Sequence, residues 1–303
     1  MKTMKTRAFT LKKVALAMMI AVGTMSSVYA AVTGSTDTIR GETPLLKSAG
    51  GGAHSVDFTA SDTVSLKTGD TITMTYKYSD TDGDADDSTT TVQWYYVPGN
   101  GAGTPVAITG VSNTLASGTD GSGSGTSAIV VPDGAVGAKI KAIITEQSLT
   151  GDLRTGHTIT YNDIGTTGTF SVGPEGEPGG NTDGSTDVPV GPVAPGAGLI
   201  PKIILAGDAT NTNLIGSGTK LKVGSTYQFK LFASDGTTDL TDTVNYKWKL
   251  TGTSATTNTA APATLFNPDA NFAVPTNTAG KVISGSDDGV QGFGLSVDYI
   301  PKP

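Results

Sequence analysis

The chain has 303 residues, a net charge of −7, two histidines and no cysteine. Disulfides, thiol chemistry and a lipid-modified cysteine are therefore excluded, and stability must come from packing. Only four glutamates occur against 41 glycines. Together with abundant threonine, this favours short strands and tight turns over helical bundles.

Residues 1–30 read as a secretory signal peptide. Lys2, Lys5, Arg7, Lys12 and Lys13 form a basic start, and Val14 to Met25 is apolar. Val28-Tyr29-Ala30 then supplies small or aliphatic residues at a cleavage site, placing the cut after Ala30. The apolar run is too short to span a bilayer comfortably, and no later stretch is long and apolar enough for a transmembrane helix. The expected product is secreted, with no membrane insertion. It would carry 15 basic and 27 acidic residues, a net charge of −12. Nucleic acid and anionic membrane surfaces both require clustered Lys/Arg, so neither is expected as a partner.

Residues 31–55 read as a flexible leader. Period-2 alternation begins after it. Ile72, Met74, Tyr76 and Tyr78 alternate with Thr71, Thr73, Thr75 and Lys77, as in a half-buried strand. Val92, Trp94 and Tyr96 follow, and Ala138, Ile140, Ala142 and Ile144 alternate with Lys139, Lys141 and Ile143. Segments at Ile129–Val131, Thr158–Tyr161 and Thr169–Val172 add short strands. Residues 112–127, rich in Ser, Gly and Thr, read as a long loop. Residues 173–198 contain 13 Gly or Pro in 26 and read as an extended linker.

The sequence on the far side of that linker repeats the first half. Leu66-Lys67-Thr68-Gly69-Asp70-Thr71 is echoed by Leu221-Lys222-Val223-Gly224-Ser225-Thr226, at an offset of 155. Ser79-Asp80 matches Ser234-Asp235. Trp94 lies 25 residues after Gly69, and Trp248 lies 24 after Gly224. Val131-Pro132 before Gly137 matches Val274-Pro275 before Gly280. Tyr227, Phe229, Leu231 and Ala233 alternate again, as do Val244, Tyr246, Trp248 and Leu250. Landmarks shared in order and spacing point to a duplication. The expected fold is all-β: two tandem immunoglobulin-like β-sandwiches, at 56–172 and 199–303, each with a core tryptophan (Trp94, Trp248).

Asp80-Thr81-Asp82-Gly83-Asp84-Ala85-Asp86-Asp87 holds five carboxylates in eight residues between two strands. Asp80, Asp82, Asp84 and Asp86, as alternate oxygen ligands, suit Ca²⁺. The spacing is not that of an EF-hand, because Gly83 is fourth and residue 91 is Thr. The competing reading is an acidic turn that keeps a sheet edge solvated. The second copy, Asp235-Gly236-Thr237-Thr238-Asp239, lacks the cluster.

Catalysis has little support, and the expectation is a protein that is not an enzyme. His54 falls in the leader and His157 at a strand start, with no nucleophile relay implied. Two histidines without cysteine or a third histidine argue against zinc. Residues 31–172 carry a net −8, whereas 199–303 carry eight lysines and eight aspartates. The neutral second half can meet a protein without long-range repulsion, so it is the expected partner-binding half. Phe232, Phe266 and Phe272 are either contacts for that partner or satellite core.

The strand GDTITMTYKYSD, the turn TDGDADD and the strand VQWYY, within residues 64–97, resemble the Ig-like modules of bacterial exported proteins of the intimin/invasin type. The second copy matches less specifically. The resemblance implies association with an outer-membrane β-barrel protein of that type and a role in modulating virulence. The adhesins' barrel domain and a C-terminal membrane-strand pattern are both missing, so this chain would be the passenger partner rather than the translocator. An adhesin-like binder of a host surface protein or glycan, stiffened by Ca²⁺, is the alternative.

Overall fold

The structure is a computed structural model that describes residues 33–166, 170–172, 178–179 and 184–302. Residues 1–30, expected to be a signal peptide, lie outside the described residues. The chain is mostly β, in antiparallel sheets built where the period-2 pattern is strongest.

The first half contributes β1 (Leu45–Lys47), β2 (Asp57–Ala60), β3 (Thr71–Ser79), β4 (Gln93–Val97), β5 (Val106–Ala107), β6 (Ser112–Thr114), β7 (Asp120–Val130), β8 (Lys139–Gln147), β9 (Thr155–Tyr161), β10 (Phe170–Val172) and β11 (Pro178–Gly179). One sheet runs β1-β3-β7-β6, with β2 also on β3; the other runs β11-β10-β9-β8-β4-β5. Their inner faces enclose one core that includes Phe58, Ile72, Met74, Tyr76, Trp94, Ile140 and Ile159. Trp94 joins the two sheets, because its indole N–H on β4 donates to Ser127 Oγ on β7 at 2.9 Å.

The second half contributes β12 (Ile200–Leu205), β13 (Thr226–Phe232), β14 (Val244–Thr251), β15 (Phe272–Ala273), the helix α1 (Asn277–Ser284) and β16 (Gly294–Pro301). A β12-β13-β15 sheet and a β14-β16 pair enclose a second core around Phe229, Leu231 and Trp248.

The two cores share hydrogen-bonded landmarks. Gly69 donates to Val131 O and Gly224 to Val274 O, each at 2.8 Å. Both glycines hold positive φ, 89° and 84°, where a side chain would strain the turn. Trp94 pairs with Ala142, and Trp248 pairs with Val297. The landmark Gly280 departs from its counterpart: Gly137 sits in a loop, whereas Gly280 lies inside α1.

Three stretches differ from the sequence expectation. The leader is not flexible throughout: Leu46 is fully buried on β1, and β1 pairs with β3. Residues 112–127 are not a loop but β6 and most of β7. The described parts of the linker are not a free spacer: Pro178–Gly179 form β11 on β10, and 184–198 is laid against the first core. Val188 and Val193 are buried there, and Ala194 donates to Leu66 O. These valines supply the apolar contact that the surrounding Gly and Pro conceal.

From Arg40 onward the chain is one compact unit. Val136, from the β7–β8 connection, is buried in the second core. Asp133 Oδ2 accepts both the N–H and the Oγ–H of Ser234, at 2.8 and 2.6 Å.

Buried tyrosines make the first core sensitive to alkali. Burial pushes the Tyr161 phenol up to about 12. Burial, then the Asp86 charge, pushes Tyr76 up further, and burial with the Asp80 charge does the same to Tyr78. A folded pKa above the unfolded value gives stability that is complete below the unfolded pKa, near 10, and lost as pH rises toward the folded one. For Tyr161 this is about 3 kcal/mol across roughly pH 10–12. Phenolate absorbance for these tyrosines should rise only in step with loss of near-UV circular dichroism. Gradual ionisation with the tertiary signal intact would contradict this assignment.

Candidate functional sites

Three places bring chemistry-bearing side chains together. The first lies where the β1–β2 connection meets the β8–β9 hairpin. The alternation of β8 that buries Ile140, Ala142 and Ile144 puts Glu146 on the same inward face, fully buried. Gly156 makes room for it, since a Cβ there would stand 2.6 Å from Glu146 Oε2. The carboxylate is held by main-chain amides: Leu46 N–H donates to Oε1 at 2.9 Å and His157 N–H to Oε2 at 2.8 Å.

Both histidines of the chain converge on this one acid. His54 Nδ1 lies 2.9 Å from Oε1, and His157 Nδ1 lies 3.4 Å from Oε2. The two rings lie against each other with centroids 3.7 Å apart, their planes tilted by 39°. His54 reaches this position with a φ of 54°, a region that non-glycine residues seldom occupy. The hydrogen bond to Glu146 raises the His54 pKa, against the opposing effect of burial. The sequence reading took each histidine separately. The available signal was Glu146, an acid in an apolar slot of a strand.

The acidic loop is the second place. Asp80, Asp82 and Asp84 bring carboxylate oxygens within 4.8 Å of one another. Asp80 is buried, and its Oδ1 accepts the N–H groups of Asp82, Gly83 and Asp84. Burial raises its pKa. Asp82 accepts Glu42 N–H at 3.0 Å, and Asp84 accepts the Thr150 hydroxyl. The loop thus ties together segments around residues 42 and 150. Asp86, the fourth expected ligand, is not part of the group. It turns inward, and its Oδ2 accepts the Tyr76 hydroxyl at 2.6 Å.

The third place is in the second half. Phe232 and Phe272 are buried, and Phe266 is half-buried against Phe272, with centroids 4.9 Å apart. Lys202 Nζ covers the Phe232 ring at 4.5 Å. Phe272 and Phe266 pack in the second core and Phe232 is buried under Lys202, the satellite-core alternative rather than that of exposed contacts. A cavity of about 730 Å³ with a mixed lining opens instead between β12 and the start of β16, bounded by Ile203, Leu214, Phe272 and Leu295 and by the polar Lys220 and Gln291.

Beside that cavity runs an edge. Trp248 exchanges both main-chain hydrogen bonds with Phe266, and Tyr246 O accepts from Asp269. The even-numbered residues of β14 therefore point away from β16, and its odd-numbered residues bond to β16. In the observed register (Lys247 opposite Asp298, Lys249 opposite Ser296), Leu295, Val297 and Tyr299 aim their N–H and C=O groups at the other edge. Among the described residues no strand pairs with that edge. Their counterparts on β8 are paired there: Ala142 faces Tyr161, and Ile144 faces Ile159, on β9. Ala142 and Ile144 are fully buried, whereas Leu295, Val297 and Tyr299 are only partly buried.

No protein-family model matches the chain, and no curated protein matches it. No helix among the described residues is long and apolar enough to cross a membrane.

Proposed function

We propose that this is an exported, non-enzymatic protein of two immunoglobulin-like modules that binds another protein through the second module. The observation that carries the reading is the unpaired edge of β16, beside a cavity of mixed polar and apolar lining, where the first module has β9. A partner that adds one extended strand antiparallel to β16 would complete the sheet. Its alternate apolar side chains would stand opposite Val297 and Tyr299, as Tyr161 and Ile159 stand opposite Ala142 and Ile144. Main-chain bonds would supply affinity and the cavity specificity. The equal numbers of lysine and aspartate in 199–303 support approach without long-range repulsion. The intimin/invasin resemblance makes an outer-membrane β-barrel protein of that type the proposed partner, with the exported part of that partner donating the strand, and modulation of virulence the proposed role.

Val297→Pro tests this. It removes an N–H that β14 does not use, and proline is tolerated on an edge strand. The variant should melt within about 1 kcal/mol of wild type. It should lose at least roughly tenfold in capture of the barrel protein from outer-membrane extract, a loss of one or two edge hydrogen bonds. Undiminished capture by the variant would sink the strand-addition reading.

A further inference from the structure

We propose that His54, Glu146 and His157 form a binding site for one divalent transition-metal ion of the zinc type. The chain has two histidines, 103 positions apart, and both direct Nδ1 at the same fully buried carboxylate. Their ligand atoms and that of Glu146 lie within 4.8 Å of one another. Two imidazoles and one carboxylate are a set that Zn²⁺ accepts, with a fourth position left for water.

The surroundings fit a ligand set as well as the three side chains do. The Leu46 and His157 amides each take one lone pair of the carboxylate and fix its plane, leaving the remaining lone pairs for an ion. The open side of the site is formed by the two rings, whose side chains are 31% and 23% exposed, so an ion has a route in. Rings whose centroids are 3.7 Å apart repel if both are imidazolium, whereas one divalent ion is coordinated by both as neutral ligands. An ion there would clamp the β1–β2 connection to the β8–β9 hairpin, joining segments from the two sheets of the first core.

The acidic loop is a separate group and serves as the internal control. Zn²⁺ is titrated into the purified protein by calorimetry and by competition with a chromophoric chelator. Co²⁺ is used in parallel for its visible ligand-field bands. Wild type and the Asp82→Asn/Asp84→Asn variant should each bind one ion per chain at this site, with a raised melting temperature that a chelator reverses. His54→Ala and His157→Ala should each weaken binding by roughly a hundredfold or more, beyond what loss of an outer partner costs, and should abolish the Co²⁺ bands. Both rings are partly exposed, so these variants keep the fold; unchanged near-UV circular dichroism checks this, and Glu146→Gln is not needed. Wild type that binds no Zn²⁺, or histidine variants that bind it as wild type does, would overturn the site. Loss in the Asp82→Asn/Asp84→Asn variant alone would place the ion in the acidic loop and equally overturn it.

Discussion

Trp94→Ala is expected to unfold the first core while the second still melts as a cooperative unit. Trp94 is 1% exposed, stands edge-on to Phe58 with centroids 5.9 Å apart, and links the sheets through Ser127. Truncation removes a large apolar volume that the surrounding strands cannot collapse to fill, at a cost of about 3–5 kcal/mol. It also strands the Ser127 hydroxyl, which is fully buried. A domain has only about 5–15 kcal/mol in total, and here no disulfide limits the unfolded state. The second core is not wholly independent, because Val136 would leave it when the first unfolds. Its own transition should fall by about 1–2 kcal/mol, the burial of one valine. Calorimetry should show an early transition displaced or lost and a late one slightly lowered. Trp248→Ala should give the reverse pattern. Simultaneous loss of both transitions in Trp94→Ala would show that the two cores fold as one.

The strands that were legible in the sequence are those whose inward positions carry large side chains. On β3, Ile72, Met74, Tyr76 and Tyr78 are all fully buried at the expected alternate positions. β7 obeys the same period but hides it. Gly125 lies opposite Tyr76, and a Cβ there would be 2.2 Å from the tyrosine ring. Small residues on β7 are thus the complement of large ones on β3, and a run of Gly and Ser reads as slack until the partner is known. The same holds for Val188 and Val193, whose isolated apolar side chains gain meaning only from the core they fill. The His54–Glu146–His157 cluster needed tertiary structure outright, since 92 residues separate the first two. Glu146 alone was visible, by extending the β8 alternation one step past Ile144. The unpaired edge of β16 could not be read locally either, because it is defined by what pairs with β8 and not with β16.

The acidic loop divides under mutation as it divides in the structure. Asp86→Ala should destabilise the first core by about 3–5 kcal/mol, the range for removing one partner of a buried charged network. Asp86 is 3% exposed and accepts three donors: the Tyr76 hydroxyl at 2.6 Å and the amides of Ala116 and Ser88, each at 2.8 Å. Alanine leaves all three without a partner in a site closed to water. Asp86→Asn should cost less, about 2–3 kcal/mol, because its carbonyl can still serve Ser88 while its amide meets Tyr76 or Ala116 donor to donor. Asp82→Ala should cost no more than about 1 kcal/mol, since its carboxylate is exposed and meets only the Glu42 amide and the neighbouring Asp80 carboxyl. Urea denaturation followed by Trp94 fluorescence measures all three against wild type. This ordering follows from where each side chain points, because Asp82 and Asp86 are chemically identical and four residues apart. If Asp82→Ala proved as costly as Asp86→Ala, the loop would be acting as one unit, as a bound cation would make it do, and the calcium reading of Asp80, Asp82 and Asp84 would regain its force.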